Sequence, residues 1–281
     1  MIVYALPVSV VLAGARLAGS LIYRLDRRHR QIAHDNIRAS FPDMPETEIA
    51  RIARASLQEI CLLAAETMFT TRLIRLDTWR RHIELANFTE ALELLVRKER
   101  GVIMLTGHFG NWEILGYTLA TLGIPSSVVA RPLDNPYVND WLLGVREKKG
   151  QRVIDKKGAT AEVAEVLERG EAIAFIADQD AGKKGMFVDF FGRPASTFKS
   201  IALLAMHYEV PIVVGYAQRL PGVFRFLAGV QEIIHPSQWK HAEDPQRWIT
   251  QRFTTAIESI VRQAPEQYWW AHRRWKTRPK A

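Results

Sequence analysis

Short apolar runs of strand type alternate with helical segments from Val102 to the end of the chain. The strand-type runs are VIMLT from Val102, SSVVA from Ser126, AIAFIA from Ala172, PIVVGYA from Pro211 and FRFLAGV from Phe224. Between them, WEILGYTLATLG and ATAEVAEVLERG have helical periodicity and end at Gly123 and Gly170. Alternation of this kind predicts an α/β fold, in which helices cover a sheet.

The segment between Arg30 and Arg100 has the pattern of helices alone. Its apolar residues recur at three-to-four spacing, as in Ile49, Ile52, Leu57, Ile60, Leu63 and Met68. No strand is predicted there. Asn87 stands three residues before Glu90, which predicts a capping box at the start of a helix that closes on Gly101. We find no internal repeat and no linker rich in Gly, Pro or Ser.

The first 25 residues, MIVYALPVSVVLAGARLAGSLIYRL, are apolar over a length that can cross a bilayer, with no acidic residue and one interior cation, Arg16. Cations cluster at the end of the segment and after it, at Arg24, Arg27, Arg28, His29 and Arg30. A secretory signal peptide has the opposite order. The order predicts a retained segment whose end stays on the cytoplasmic side of a membrane, with the rest of the chain facing the cytoplasm. Spanning, lying on the membrane and a buried helix of the globular domain are the three alternatives.

These patterns predict three parts: a membrane-associated apolar helix over residues 1–25, a helical extension over 26–100 and an α/β core over 101–281. The 281 residues include 38 Lys and Arg against 30 Asp and Glu, a net charge of +8. Such a balance favours an acidic partner: nucleic acid, anionic lipid, a phosphorylated substrate or an acidic carrier protein. The single cysteine, Cys61, permits no internal disulfide, so the fold needs no oxidising compartment.

The segment TGHFGNWEILG has the strongest chemical signal. It places His108 after a predicted strand and Glu113 at the start of a helix that Asn111 can cap. Gly107 and Gly110 permit a turn tight enough for the Glu113 carboxylate to approach the imidazole. A histidine oriented in this way takes a proton from a hydroxyl or an amine. The alternative is a capping histidine and a first-turn glutamate that serve only the helix dipole.

Four further groups of residues have two interpretations each. Asp178 and Asp180 follow the predicted strand AIAFIA, where they orient His108 or an acceptor hydroxyl, or are solvated loop carboxylates. GKKG from Gly182 is a phosphate loop or a plain turn. YWWAHRRWK near the C-terminus suits a membrane interface or stacking on single-stranded nucleic acid. Four phenylalanines line an acyl channel or pack in the core: Phe187, Phe190, Phe191 and Phe198. The sequence has no HExxH, GxSxG, GxxxxGK[ST] or GxGxxG motif.

Four segments together resemble the successive signatures of bacterial lipid A late acyltransferases, the lauroyl and myristoyl transferases of lipopolysaccharide assembly. They are GHFGNWE, ARPLDNPYVNDWLLGVR, ADQDAGKKGMFVDFFGRPAST and APEQYWWAHRRWKTRP, and the resemblance runs from Pro7 to Pro279. It implies a glycerolipid-acyltransferase-like fold with an N-terminal membrane helix. It also implies an acyl carrier protein or CoA thioester as co-substrate, with no metal and no bound cofactor.

The resemblance assigns roles to individual residues. The His–acid pair of the family maps onto His108 and Glu113, its third-signature acid onto Asp178, and its second-signature arginines onto Arg131 and Arg146, of which Arg146 is favoured. We add Asn111 and Asp180 as candidate substrate-binding residues. Glu113 stands where the wider glycerolipid type has an aspartate.

The resulting expectation is a membrane-associated O-acyltransferase that moves a fatty acyl chain from a thioester to a hydroxyl of a lipid A precursor. His108 is its general base, and its partners are the glycolipid, the thioester and the membrane, without nucleic acid. The alternatives are another glycolipid or a lysophospholipid as acceptor, a non-enzymatic basic module that binds nucleic acid, and an esterase. An esterase of this kind needs a nucleophile, and none is visible in the sequence.

Overall fold

The computed structural model describes residues 5–124, 126–156 and 158–279. Residues 1–4 of the predicted N-terminal segment lie outside the described part. The α-helices are α1 Val8–Leu25, α2 Arg27–Ser40, α3 Glu46–Leu73, α4 Thr89–Arg97, α5 Trp112–Thr121, α6 Pro136–Glu147, α7 Ala159–Glu168, α8 Ser200–His207, α9 Pro236–Trp239 and α10 Pro245–Gln263. The strands are β1 Ile83–Ala86, β2 Val102–Thr106, β3 Ser126–Ala130, β4 Arg152–Asp155, β5 Ala172–Ile176, β6 Met186–Phe190, β7 Arg193–Thr197, β8 Ile212–Arg219 and β9 Phe226–Ile234.

Seven strands form one sheet in the order β1-β9-β8-β2-β5-β3-β4. Strands β8, β2, β5, β3 and β4 are parallel, whereas β9 runs antiparallel to β8 and carries β1 parallel to itself. Strands β6 and β7 form a separate antiparallel hairpin. The predicted α/β fold is confirmed. The carboxyl ends of the five parallel strands meet at one edge of the sheet, which is where sites form in folds of this type.

All five predicted strands are present, and four strands were not predicted. One of them, β1, corrects the expectation that residues 26–100 contain no strand. It is a short edge strand with a single fully buried residue, so it has neither the alternation nor the apolar run by which a strand is recognised. The central strand β2 is buried on both faces because helices cover both sides of the sheet. Its residues Ile103 and Leu105 join one core cluster and Met104 the other.

The predicted helix after Asn87 is present as α4, but the capping box is wrong. Asn87 has a φ of 56°, in the left-handed region, and the helix has no side-chain cap. The helix also ends before Gly101, because Lys98 adopts a φ of 53° directly after Arg97. Local sequence therefore located the helix but not its ends.

The apolar helix α1 packs antiparallel along α3. Leu12 contacts Leu62 and Ala65, while Gly19, further along α1, lies so close to Gln58 that a Cβ there would be 2.4 Å from the Gln58 Cα. By length and composition, α1 is the one helix among the described residues that could cross a membrane, and 17% of it is buried. The outer face of α1 carries exposed apolar side chains, and α3 fixes the inner face.

Candidate active site

His108 lies in the turn that joins β2 to α5, at the carboxyl edge of the sheet. Gly110 has a φ of 57°, and a Cβ on it would lie 2.0 Å from the Ala217 carbonyl oxygen, so this position needs glycine. The Asn111 N–H donates to the same carbonyl at 2.8 Å. Asn111 Oδ1 accepts from the Ile114 N–H at 3.0 Å and caps α5, as predicted. The turn therefore holds His108 firmly in place.

Asp178, at the end of the neighbouring strand β5, binds both the ring and the backbone of His108. Its Oδ1 lies 2.7 Å from Nδ1, and its Oδ2 accepts from the His108 N–H at 2.9 Å. Burial by itself raises the pKa of Asp178, but the adjacent His108 and His272 outweigh burial and hold this pKa below its ordinary value. An ionised carboxylate only accepts hydrogen bonds, so Nδ1 must carry the proton. In the neutral imidazole, Nε2 is then free to accept one.

The expected contact between Glu113 and the imidazole is absent, and this is a correction. Glu113 instead forms two hydrogen bonds with Arg146 of α6, from Nε at 2.9 Å and from Nη2 at 2.6 Å. Its Oε1 also accepts from Trp112 Nε1 at 3.1 Å. Both side chains of the pair are nearly buried, at 10% and 13% exposure. Burial opposes the charge of Arg146, but the hydrogen bonds and charge of Glu113 raise its pKa above the ordinary value, so Arg146 stays protonated.

A largely apolar cavity lies between the sheet and helices α4 and α5. The Glu113–Arg146 pair, Thr106 and Trp112 line one part of it. The Trp112 ring also meets the His108 ring edge-on, with centroids 5.1 Å apart, so one residue of the cavity lining contacts the imidazole. Its apolar lining comes from Phe88, Ala91, Leu95, Met104, Leu115, Val128, Ala174, Phe175, Ile176, Val213 and Val230, among others.

The four phenylalanines proposed for an acyl channel do not line this cavity. Phe190 and Phe191 are buried in the core on the other side of the sheet and pack edge-on against each other at 4.9 Å. The core-packing interpretation is therefore confirmed for these two, and the channel interpretation is wrong for them. The sequence pattern along β6 and β7 does not show which side chains face the core, because this hairpin is separate from the main sheet.

The other candidate residues lie in different surroundings. Arg131 is on the surface, with 74% of its side chain exposed, and pairs with Asp134 at 3.0 Å. Asp180 accepts from the Thr277 hydroxyl at 2.8 Å and from the Gly182 N–H at 3.3 Å. GKKG forms a 3₁₀ turn, as its plain interpretation predicted. Among the predicted residues, Glu113 and Arg146 thus line the cavity, and His108 lies in the adjoining turn with Asp178 bound to its ring.

Asn111 does not agree with its predicted substrate-binding role. It is completely buried, and besides capping α5 it donates through Nδ2 to Glu66 Oε2 at 2.7 Å. Glu66 in turn accepts two hydrogen bonds from Arg219, which also binds Glu59. This buried network links α3 to the end of β8 and to the start of α5. No sequence pattern indicates this network, because its members are far apart in the chain.

The C-terminal motif YWWAHRRWK lies against the His108 turn, which corrects both surface interpretations of this motif. Trp270 and Arg274 are completely or almost completely buried. The Trp269 N–H donates to the His108 carbonyl at 3.0 Å, and the two rings are 5.4 Å apart. His272 was not predicted as a site residue, although its ring lies 5.8 Å from that of His108. Among the described residues, no group of three or more His, Cys, Asp or Glu side chains is placed to hold a metal ion.

Comparison with known proteins gives the family. A family model described as bacterial lipid A biosynthesis acyltransferase matches residues 1–277. A lipid A biosynthesis lauroyltransferase of Escherichia coli (strain K12) is 27% identical, over 99% of this chain and 89% of the relative. A lipid A biosynthesis acyltransferase of Haemophilus influenzae is 28% identical, over 91% of this chain and 80% of the relative. The lipid A biosynthesis palmitoleoyltransferase of E. coli (strain K12) is 25% identical, over 95% and 84%.

Fold and site define an α/β protein with a buried histidine–aspartate pair beside an apolar cavity. The chain belongs to the bacterial lipid A biosynthesis acyltransferase family, which confirms the resemblance of its four sequence segments. It is therefore an acyltransferase that acts in lipid A biosynthesis.

Proposed function

We propose that the protein transfers a fatty acyl chain from an acyl carrier protein or CoA thioester to a hydroxyl of a lipid A precursor, with His108 as general base. The observation that carries this proposal is the hydrogen bond from His108 Nδ1 to Asp178, which leaves Nε2 to accept a proton. Nε2 has only a long contact of 3.4 Å to the Gln179 amide among the described residues. The reaction needs no metal and no bound cofactor, because the thioester already activates the acyl group.

In the proposed reaction, the acceptor oxygen attacks the thioester carbonyl carbon while Nε2 of His108 takes the hydroxyl proton. Asp178 stabilises the imidazolium that forms. The tetrahedral intermediate then collapses, the carbon–sulfur bond breaks, and the imidazolium returns the proton to the leaving thiolate. The products are the new ester and a free thiol.

Arg146 is proposed to face negative charge at the cavity mouth, either the developing oxyanion or a phosphate of a substrate. Its Nε and Nη2 are bound to Glu113, so Nη1 is the part of the guanidinium left for a ligand. A donor held in advance of the reaction stabilises such charge without reorganisation. The role proposed for Glu113 is therefore to position Arg146 rather than to orient His108.

The apolar cavity is proposed as the site of the donor acyl chain. An alkyl chain gains about 0.8 kcal/mol for each methylene group that leaves water. A chain lying under α5, with its thioester beside Trp112, would place the carbonyl carbon between His108 and Arg146. This arrangement is supported by the Glu113–Arg146 pair and the many apolar residues that line the same cavity.

The protein is also proposed to bind the cytoplasmic face of the inner membrane through α1. The exposed face of this helix carries Val10, Leu17, Leu21 and Leu25. The cations Arg24, Arg27 and Arg28 follow at one end of the stripe and are exposed. Apolar area together with cations fits an anionic membrane surface, where each cation adds about 1 kcal/mol.

Of the two membrane orientations, the packing of α1 favours lying in the interface over spanning. The inner face of α1 is in contact with α3 from Leu12 to Ser20, where Ser20 Oγ accepts from the Gln58 amide at 2.8 Å. If α1 crossed the bilayer in this arrangement, α3 would enter the hydrocarbon beside it. Helix α3 carries the charged Arg54, which binds Ser20 of α1, and Glu59, and the transfer of such side chains into hydrocarbon is costly.

The proposal is tested by mass spectrometry of lipid A from cells that lack the gene and are complemented with variants. Wild type and His241→Ala, an exposed histidine outside the site, should restore one acyl chain. His108→Ala should not. The mass of the restored chain and its position identify donor and acceptor together. Unchanged lipid A in the gene-deficient cells, with a changed phospholipid or other glycolipid, would assign the alternative acceptor.

A further inference from the structure

His272 is a buried histidine whose two ring nitrogens face main-chain carbonyls of two different loops. Nε2 lies 3.0 Å from the carbonyl oxygen of Asp178, and Nδ1 lies 2.5 Å from that of Trp269. The Tyr268 hydroxyl is 3.3 Å from the same Nε2. Burial lowers the pKa of His272, and a neutral ring has a single N–H, which donates to only one of the two carbonyls; we assign it to Nε2, towards Asp178.

The residues around His272 connect the same two loops. On one side, the Trp269 N–H donates to the His108 carbonyl, and the Gly110 N–H donates to the Gln267 carbonyl at 2.9 Å. On the other side, the Thr277 hydroxyl donates to Asp180 at 2.8 Å. Residues 267–277 therefore join the turn that carries the proposed base to the loop that carries its carboxylate.

Arg274 ties the segment to the hairpin on the far side. Its guanidinium is buried and donates to the Ser196 carbonyl at 2.6 Å and to the Thr197 hydroxyl at 2.5 Å. It also reaches the Gln179 carbonyl at 3.4 Å, directly after Asp178. The segment is thus anchored independently of His272, so a change at His272 alone should leave it in place.

We propose that His272 is a positioning residue for the reaction: its Nε2 holds the Asp178 main chain, and thereby keeps the Asp178 carboxylate on Nδ1 of His108. The inference rests on the proposed function, in which His108 is the base. Its physical basis is that Asp178 has one main-chain carbonyl and two side-chain oxygens, and that these three acceptors are bound by His272 and His108. A shift of the main chain moves the carboxylate with it.

The test compares three substitutions at one position. His272→Gln can keep a donor near the Nε2 position, His272→Asn keeps one near Nδ1, and His272→Phe keeps the ring without a donor. We expect kcat to fall about a hundredfold in His272→Phe, as for other small misplacements of reacting groups. KM for both substrates should stay within about twofold, and His272→Gln should recover most of the lost kcat while His272→Asn does not. His82→Phe is the matched control, because His82 also binds a main-chain carbonyl, that of Phe224, away from the site.

A double-mutant cycle separates positioning from a general loss of stability. Because His272 acts through Asp178, adding His272→Phe to Asp178→Asn should cost no further kcat. Full additivity of the two losses would overturn the inference. So would wild-type kcat in His272→Phe, or an equal loss in all three His272 variants.

A proton NMR measurement, which needs no activity assay, tests this inference separately from the proposed function. The proton on His108 Nδ1 should give a downfield proton NMR resonance that His108→Ala removes. We expect that resonance in wild type and in His272→Gln but not in His272→Phe. Its persistence in His272→Phe would contradict the positioning role, even if no acyl transfer to a lipid A precursor were found. Absence of transfer by wild type would contradict the proposed function alone.

Discussion

At the residue scale, two carboxylates near His108 have different partners, and this difference is testable. Asp178 binds the imidazole, whereas Glu113 binds Arg146. Asp178→Asn allows an amide N–H to face Nδ1, which moves the ring proton to Nε2 and removes the base. We expect kcat to fall by about a hundred- to ten-thousand-fold. The measurement is initial rate of acyl transfer, and a loss below tenfold would contradict the assignment of Asp178 as the orienting acid.

Glu113→Gln should also reduce the rate of acyl transfer, because it weakens the hold on Arg146 rather than the contact with His108. In a double-mutant cycle with Arg146→Lys, we expect the second substitution to cost little once the first is present, because both break one bidentate pair. In a cycle with Asp178→Asn, the two losses should add. Arg38→Lys is the matched control, since Arg38 makes the same two-fold contact with Glu46 on the surface. Coupling of Glu113 to Asp178 rather than to Arg146 would restore the role first predicted from the sequence.

Asp178 also makes stability depend on pH in a direction that follows from its lowered pKa. A carboxylate of this kind stabilises the folded state above the ordinary aspartate pKa of about 3.9, and the contribution is lost as the pH falls below that value. We expect Asp178→Asn to lower the free energy of unfolding by about 2 kcal/mol at pH 7. In urea unfolding, the difference from wild type should shrink towards pH 3. A difference that grows on acidification would contradict the lowered pKa.

The sequence predicted which residues meet at the carboxyl edge of the sheet better than it predicted the contacts between them. His108 and Asp178 were predictable because each follows an apolar strand, and the ends of parallel strands share an edge. The direction of the Glu113 side chain was not predictable, since it depends on where α6 places Arg146. Asn111 was correctly predicted as a helix cap, but its burial depends on Glu66, which is distant in the chain.

At the element scale, α1 should lie in the membrane interface without crossing it. With Cys61→Ser as background, Leu6→Cys and Leu25→Cys place single thiols near the two ends of the exposed stripe. Both should react with an impermeant maleimide in inverted inner-membrane vesicles, as should Val223→Cys, a reference on an exposed turn. Leu17→Cys, within the stripe, should react only after detergent is added. Labelling of Leu6→Cys from the periplasmic side alone would show that α1 spans.

The C-terminal motif shows what composition cannot predict for an element. Aromatic and cationic residues interleave in YWWAHRRWK, a pattern typical of surfaces that contact lipid or nucleic acid. In the fold, residues of the motif bind main-chain carbonyls outside it: Trp270 Nε1 donates to the Pro265 carbonyl at 2.7 Å, and Arg274 donates to that of Ser196 at 2.6 Å. Their burial is decided by the hairpin and by α3, neither of which is near them in sequence.

At the scale of the whole molecule, one cavity is built from five strands and several helices, so no local pattern predicted it. If it holds the acyl chain, filling part of it should shorten the preferred donor. Ala91, on α4, is one of the cavity's apolar lining residues, and a larger side chain there takes up room in the cavity. We expect Ala91→Leu to lower the kcat/KM ratio of long to short acyl donors by about tenfold, as one or two methylenes in a pocket do. Val96→Leu, on the exposed side of the same helix, should leave this ratio unchanged. An unchanged ratio in Ala91→Leu would place the chain elsewhere.

The central claim is that His108 removes the proton of the acceptor hydroxyl, and one measurement tests it most directly. Purified wild type, His108→Ala and His241→Ala are each mixed with an acyl carrier protein thioester and a detergent-dispersed lipid A precursor, and the acylated product is measured by mass spectrometry over time. We predict a rate at least a hundredfold below wild type for His108→Ala, with an unchanged melting temperature, and a wild-type rate for His241→Ala. A His108→Ala rate within tenfold of wild type would contradict the account.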